Sequence, residues 1–264
     1  MAFHVRDLSK NEARKLEYFC KKVGRGINRF GMIHENEKIL IGISGGKDSL
    51  ALCYALAERM KWLPIKYDLV GLFIDWKEYP FALEKWKAME EYCLALGIPV
   101  VKKSATMMPP SFKGRFDCYL CSRNKKRIFF DAANEMGITK IALGHHMDDI
   151  AETILMNMAF RGEFAAMMPV QEFFKGKIHM IRPMCEVRES AVAQAARILE
   201  VPAFSIQCPR KDKNRRIVMK QIIHTLTGIN RTARENIYNS IFRINHEYLP
   251  KDNCCGLEIT QEVE

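Results

Sequence analysis

Apolar positions along the chain follow two rhythms that take turns. Short runs of aliphatic and β-branched residues, apolar on both faces, occur at Ile39–Ile43 (ILIGI), Leu69–Ile74 (LVGLFI), Ile98–Val101 and Lys140–Leu143. Runs of that kind predict strands buried within a parallel sheet. Between them the spacing changes to three and four residues: Leu52, Leu56 and Met60 follow the first run, and Leu83, Trp86, Met89, Cys93 and Leu96 precede Gly97. These steps predict helices, with Gly97 as the C-terminal stop of the second. Strand and helix in alternation predict right-handed crossovers and an α/β fold with a doubly wound, mainly parallel sheet.

Outside this block the pattern is helical. Leu16, Phe19, Val23, Ile27 and Phe30 form one stripe, and Lys10, Arg14, Lys21 and Arg25 lie off it, which predicts a basic amphipathic helix packed on the sheet. Ile178–Ile181 reads as an edge strand, Arg188–Glu200 as a helix, and the rest as basic helix to about His246, with a tail from Pro250. The expected organisation is an N-terminal helical segment (1–37), the sheet domain (38–205), a basic helical extension (206–249) and the tail (250–264).

Composition narrows the class. Of 264 residues 48% are hydrophobic, which supplies a sizeable core and excludes a disordered or fibrous chain. The opening residues lack the apolar stretch of a secretory signal, and no run of about 18 apolar residues occurs, so a cytoplasmic protein without a membrane partner is expected. Lys+Arg 41 against Asp+Glu 31 leaves a formal charge of +10, a field that attracts polyanions such as nucleic acid. Nine cysteines in a reducing compartment point to metal or redox chemistry rather than disulfides.

Three segments carry candidate chemistry. Strand Ile39–Ile43 runs directly into Ser44-Gly45-Gly46-Lys47-Asp48-Ser49 and then a helix. Paired glycines bring backbone N–H groups close to an anion, the serines add hydroxyls, and the helix N-terminus adds positive potential, so the loop suits phosphate. It is not a Walker A loop: Ile41 stands where the first glycine belongs, and Asp48 follows Lys47 where Ser or Thr is required.

The second segment is Cys118-Tyr119-Leu120-Cys121, with Cys208 far downstream. A Cys-x-x-Cys pair serves zinc, redox dithiols and iron-sulfur clusters alike. A [4Fe-4S] cluster on three thiolates leaves one iron open to exogenous sulfide; zinc with a histidine, and a disulfide or persulfide pair, are the alternatives. Cys20, Cys53, Cys93 and Cys185 fall in apolar contexts and read as core.

The third begins where strand Lys140–Leu143 ends, at Gly144-His145-His146-Met147-Asp148-Asp149, followed by Glu152. Open α/β sheets bind ligands at this end of their strands. Asp148 is expected to cap the helix, Asp149 to share a face with Glu152, and either histidine to reach phosphate.

Taken together, SGGKDS, CYLCSR, IALGHHMDD with the following Glu-Thr, MMP at 167–169, IRP at 181–183 and VRE at 187–189 closely resemble the tRNA 2-thiocytidine synthetase family. Its members, also called tRNA-cytidine(32) 2-sulfurtransferases, fall within the PP-loop N-type ATP pyrophosphatases. The likeness runs from about Lys10 to Met219. It implies ATP-dependent replacement of the C2 oxygen of a cytidine in a tRNA anticodon loop by sulfur, with a [4Fe-4S] cluster on Cys118, Cys121 and Cys208. It implies ATP binding by Ser44, Gly45, Gly46, Lys47, Asp48 and Ser49 with Asp75, Gly144, His145 and Asp149, and Mg²⁺ binding by Asp48 and Asp149. Sulfur would come from a cysteine desulfurase or free sulfide, and a homodimer is allowed. One departure leaves the tRNA position and base open: the family's Cys-x-x-Cys-Gly is here Cys208-Pro209-Arg210-Lys211.

The carbonyl-type oxygen at C2 leaves poorly, so adenylation must precede attack by sulfide, and phosphate loop and thiolates must share one site. Between Pro209 and Arg231 stand Arg210, Lys211, Lys213, Arg215, Arg216, Lys220 and Arg231 against Asp212 alone, a candidate tRNA surface. Arg123, Lys125, Lys126 and Arg127 beside the Cys-x-x-Cys pair form a second. Thiolation of another base such as a uridine, an iron-free persulfide enzyme, and an RNA-binding module without turnover are the other readings.

Overall fold

The computed structural model describes residues 8–107, 118–204 and 215–249, and of Cys118 only the backbone. Cys208, Arg210, Lys211 and the expected tail lie outside the described residues.

Six strands form one sheet: β1 (Glu37–Ile43), β2 (Tyr67–Trp76), β3 (Val100–Ala105), β4 (Lys140–Ala142), β5 (Val170–Phe173) and β6 (Ile178–Ile181). Their spatial order is β3-β2-β1-β4-β6-β5, parallel except for the antiparallel β5–β6 pair. Among the described residues eight α-helices accompany them: α1 (Lys10–Arg29), α2 (Lys47–Trp62), α3 (Leu83–Ala95), α4 (Cys118–Glu135), α5 (Met147–Arg161), α6 (Glu189–Ile198), α7 (Arg215–Ile229) and α8 (Ala233–Ser240).

The two faces of β1 show why the sheet is doubly wound. Alternate side chains point to opposite faces. Ile39, Ile41 and Ile43 join a core with residues of α1, α2, α3, α5 and α6, whereas Leu40 joins Leu72 and Ile74 of β2 against Ile128, Phe129, Ala132 and Ala133 of α4. The chain therefore winds outward from β1 to β3 on one face and crosses back to β4 on the other. That reversal puts a topological switch point between β1 and β4, where such sheets bind ligands.

The N-terminal helix fulfils its pattern, burying Leu16, Phe19, Val23 and Ile27, and two of its cations, Arg25 and Arg29, lie on the buried carboxylate of Glu186. Gly97 follows α3 with φ +76°, as the stop predicts. One expectation is corrected. Ile178–Ile181 is no edge strand: it pairs with β4 on one side and with β5 on the other. The edge is β5, which the apolar pattern missed because Val170-Gln171-Glu172-Phe173 is short, half polar and only partly buried. No helix among the described residues is long and apolar enough to cross a membrane.

Candidate functional site

In a parallel crossover the helix runs back against its strands, so the N-termini of α2 and α4, like that of α5 after β4, lie at the carboxyl end of the sheet. Three of the sequence's chemical segments are the starts of these three helices.

The loop before α2 is braced from inside. Gly45 takes φ +74°, a conformation that favours glycine. The Ser49 hydroxyl donates to the Gly46 carbonyl (2.9 Å) and accepts from the Ser44 N–H (3.1 Å), while Ser44 Oγ accepts from the Gly46 N–H (3.3 Å). The serines thus serve the shape of the loop, and Ser49 is buried. Gly46 caps α2 with no side-chain hydrogen bond, leaving the helix end to backbone N–H groups. Lys47 Nζ lies 2.8 Å from Asp48 Oδ1 and 3.7 Å from Glu189 Oε1.

The β4–α5 loop packs directly on this one. A Cβ built on Gly144 would lie 3.0 Å from the Asp48 carbonyl carbon and from the Ser49 nitrogen, so any larger residue would press the two loops apart. His146, not Asp148, caps α5: its Nδ1 accepts from the Asp149 N–H (3.4 Å) and its own N–H donates to Asp149 Oδ2 (2.9 Å). Asp148 instead caps α6, accepting from the Glu189 N–H at 2.7 Å, and its other oxygen lies 2.7 Å from Arg234 Nε. A side chain that follows one helix start by two residues can serve another helix, which spacing alone does not reveal.

Asp149 Oδ1 holds Arg216 at 3.2 Å. Burial opposes its charge, but His146, His145 and Arg216 outweigh that and keep the carboxyl below its usual range. Burial pushes the His145 imidazole down to about 3, helped by Arg182, Arg216 and Lys125 and opposed by Asp149; its Nδ1 has no hydrogen-bond partner among the described residues. Burial raises Glu152 to about 7, with Asp149 and Asp148 adding to the shift.

Helix α4 begins at Cys118, so Cys118 and Cys121, three residues apart, share its first turn with no acidic residue. An N-terminal turn of this kind favours thiolates. Lys125, one turn on, is pushed down by burial, while the nearby Cys121 favours its charge. Lys125, expected on RNA phosphates, is partly buried and within electrostatic reach of His145 as well as Cys121. Arg123 and Arg127 stay exposed, and Lys126 lies near Arg182.

Cys208 falls outside the described residues, but the chain on either side of its segment is anchored here. The Phe204 N–H donates to the Gly45 carbonyl at 2.7 Å, and Arg216 reaches Asp149. A three-cysteine cluster set therefore fits the described surroundings: a positive helix end, a lysine beside one thiol, and both flanks of the third cysteine tied to the loops. Mg²⁺ fits less well, since Asp48 and Asp149 already hold Lys47 and Arg216, and no group of three His, Cys, Asp or Glu side chains converges among the described residues. Asp75 braces the β2–α3 loop, accepting from the Phe81 N–H (2.9 Å) and pairing with Lys102 (2.8 Å); Phe81 in turn covers Gly45.

Residues 8–226 match the model of the PP-loop domain family. A tRNA-cytidine(32) 2-sulfurtransferase of Polynucleobacter asymbioticus is 33% identical over 96% of this chain and 85% of its own length. The chain belongs to the tRNA-cytidine(32) 2-sulfurtransferase family. Membership places it among the tRNA sulfurtransferases, which are enzymes. Another relative of that name, from Acidovorax ebreus, is 34% identical over 81% of this chain and 68% of its own length. Among solved structures, the U34-tRNA thiolase NcsA from Methanococcus maripaludis, determined with its [4Fe-4S] cluster, superposes with a TM-score of 0.73 at 22% identity, covering 95% of this chain and 86% of that one. That likeness is one of fold.

Proposed function

We propose that the chain adenylates the C2 oxygen of a cytidine, position 32 of a tRNA anticodon loop, with ATP and replaces it by sulfur. The observation that carries this is the convergence of three helix starts at the carboxyl end of one sheet: the phosphate loop, the histidine–aspartate loop packed against it through Gly144, and the thiol turn, whose Lys125 lies within electrostatic reach of His145. The relatives' shared name supports the tRNA and the base.

In the first step the C2 oxygen attacks the α-phosphorus of ATP, the α–β bridging bond breaks, and pyrophosphate leaves. The backbone of Gly45 and Gly46 and the start of α2 receive that anion, with Lys47 balancing its growing charge. AMP then becomes the group displaced from C2 by sulfide. Cys118, Cys121 and Cys208 would hold a [4Fe-4S] cluster, which supplies an iron open to sulfide from free sulfide or a cysteine desulfurase. Lys125 places a cation between Cys121 and His145, and the dry imidazole of His145 stays neutral beside the phosphates. Asp48 and Asp149 are held by Lys47 and Arg216, which keep both carboxylates in place beside the loop.

Anaerobic reconstitution with iron and sulfide, followed by incubation with tRNA and ATP and mass analysis of the nucleosides, tests the whole sequence. The expected products are 2-thiocytidine, AMP and pyrophosphate, absent with Cys121→Ser. A thiolated uridine would move the target, and full activity in iron-free protein would remove the cluster.

A further inference from the structure

Four carboxyl groups surround the start of α5, and three of them are answered by cations. Asp148 pairs with Arg234 at 2.7 Å, Asp149 with Arg216 at 3.2 Å, and Glu189 with Lys220 at 2.6 Å. The fourth, Glu152, is only 7% exposed, yet among the described residues it has no hydrogen-bond or ion-pair partner. Arg216 and Lys220 act on its charge without direct contact, so its oxygens are left to the cavity beside it. Glu152 lines a cavity of about 480 Å³ between α5, α7 and α8, whose walls include the apolar Ile217 and Ile223 and the side chain of Gln221.

The lining tells what the cavity lacks. Its cations Lys220 and Arg234 are already paired, so it offers little to a phosphate. Its unanswered group is a hydrogen-bond acceptor. The volume suits a single small ligand, and a mixed lining of two isoleucines, polar side chains and two acids, of which Asp148 is held by Arg234 and Glu152 has no direct partner, suits a flat ring that carries an amine.

We infer that this cavity receives the cytosine base of the RNA substrate, with Glu152 accepting from the exocyclic N4 amine. The inference rests on the proposed tRNA reading and deepens it by naming the residue that selects the base. Cytosine presents an amine donor where uracil presents the acceptor O4, and an acid is a known partner of the cytosine amine. In its ionised form Glu152 therefore rejects uracil at the point where it holds cytosine. On the ring N4 and O2 flank N3, so a base gripped by its amine still presents O2 for chemistry. The cavity adjoins the phosphate loop: Lys220 on its wall pairs with Glu189, which lies 3.7 Å from Lys47.

The test compares anticodon stem-loop RNAs carrying cytidine or uridine at position 32, by equilibrium binding and by anaerobic thiolation, in the full-length protein. Wild type should favour cytidine in binding by roughly ten- to a hundredfold. Glu152→Gln, nearly isosteric, offers both a donor and an acceptor, so it should bring that ratio close to one with ATP binding intact. Gln221→Trp, at an exposed position of α7, should fill the cavity and lower affinity for the cytidine RNA at least tenfold. Equal binding of both RNAs by wild type, a wild-type ratio in Glu152→Gln, or undiminished binding by Gln221→Trp would overturn the inference. If Glu152→Gln does not fold, wild type and Gln221→Trp decide. Binding discrimination without thiolation would sink the proposed reaction and leave the pocket standing; thiolation with the ratio unmoved in Glu152→Gln would do the reverse.

Discussion

Lys125 and its neighbours Arg123, Lys126 and Arg127 look alike as a basic run, but burial separates them: Arg123 and Arg127 face solvent, and Lys125 is drawn toward Cys121 and His145. A cation held in a partly buried site stabilises developing negative charge better than one in open water. Lys125→Met should therefore slow single-turnover thiolation about a hundredfold or more while ATP affinity changes little. A loss of RNA affinity alone, with the rate at saturation unchanged, would return Lys125 to the phosphate-binding role its neighbours suggest. Glu152 gives a second test by pH. Burial raises its folded value from the ordinary 4.5 to about 7, so the unfolded chain gives up this proton first. Stability from this group is present below about pH 4.5 and is lost as pH rises to about 7, amounting to roughly 3 kcal/mol across that window. Denaturant unfolding of wild type and Glu152→Gln at pH 4.5 and pH 8 isolates the effect, because the other titrating groups are common to both. The difference between the two proteins should move in favour of Glu152→Gln at pH 8; parallel profiles would show that the carboxyl is solvated.

At the scale of elements, the contact between the β1–α2 and β4–α5 loops is made by backbone, and Gly144 is what permits it. With a Cβ at 3.0 Å from main-chain atoms of Asp48 and Ser49, Gly144→Ala must push the two loops apart by a few tenths of an ångström. The phosphate loop would open, and ATP affinity should fall about tenfold or more, measured by calorimetry, with the cooperative unfolding transition retained. An unchanged dissociation constant would mean that the loops do not act together. The strands that build this end of the sheet were legible because each is apolar on both faces, and the phosphate loop was legible because two glycines and a lysine directly follow such a strand. Other features were not. Strand β5 carries only four residues and no core-facing run, and Arg182, quoted only as part of the IRP motif, is buried near Lys126 and His145, a placement that no local pattern predicts. The roles of Asp148 and Glu152 depend on α6, α7 and α8, which reach α5 from 40 to 90 residues away. Local spacing has no access to such distances.

Across the whole molecule, 41 Lys and Arg suggest a broad basic face, but several of these cations are paired with carboxylates rather than free for RNA. Arg25 and Arg29 hold Glu186, Arg188 holds Glu235, Arg234 holds Asp148, and two of the three cations of α7 expected on RNA, Arg216 and Lys220, hold Asp149 and Glu189. Arg215 lies over the Phe160 ring. A cation already neutralised by a carboxylate releases little when a phosphate approaches, whereas an exposed one releases the counterions condensed on the RNA. The salt dependence of tRNA binding should therefore be set by exposed residues such as Arg123 and Arg127, beside the thiol turn. Measured by filter binding across potassium chloride concentrations, Arg123→Ala and Arg127→Ala should each reduce the slope of log K against log salt by about one. Arg216→Ala should leave that slope alone and instead disturb the site, because Asp149 then sits half-buried with its cation gone. If Arg216→Ala lowered the slope as much as the α4 variants do, α7 would have to leave Asp149 when tRNA binds, and the C-terminal helices would be a moving part of the substrate site rather than its wall.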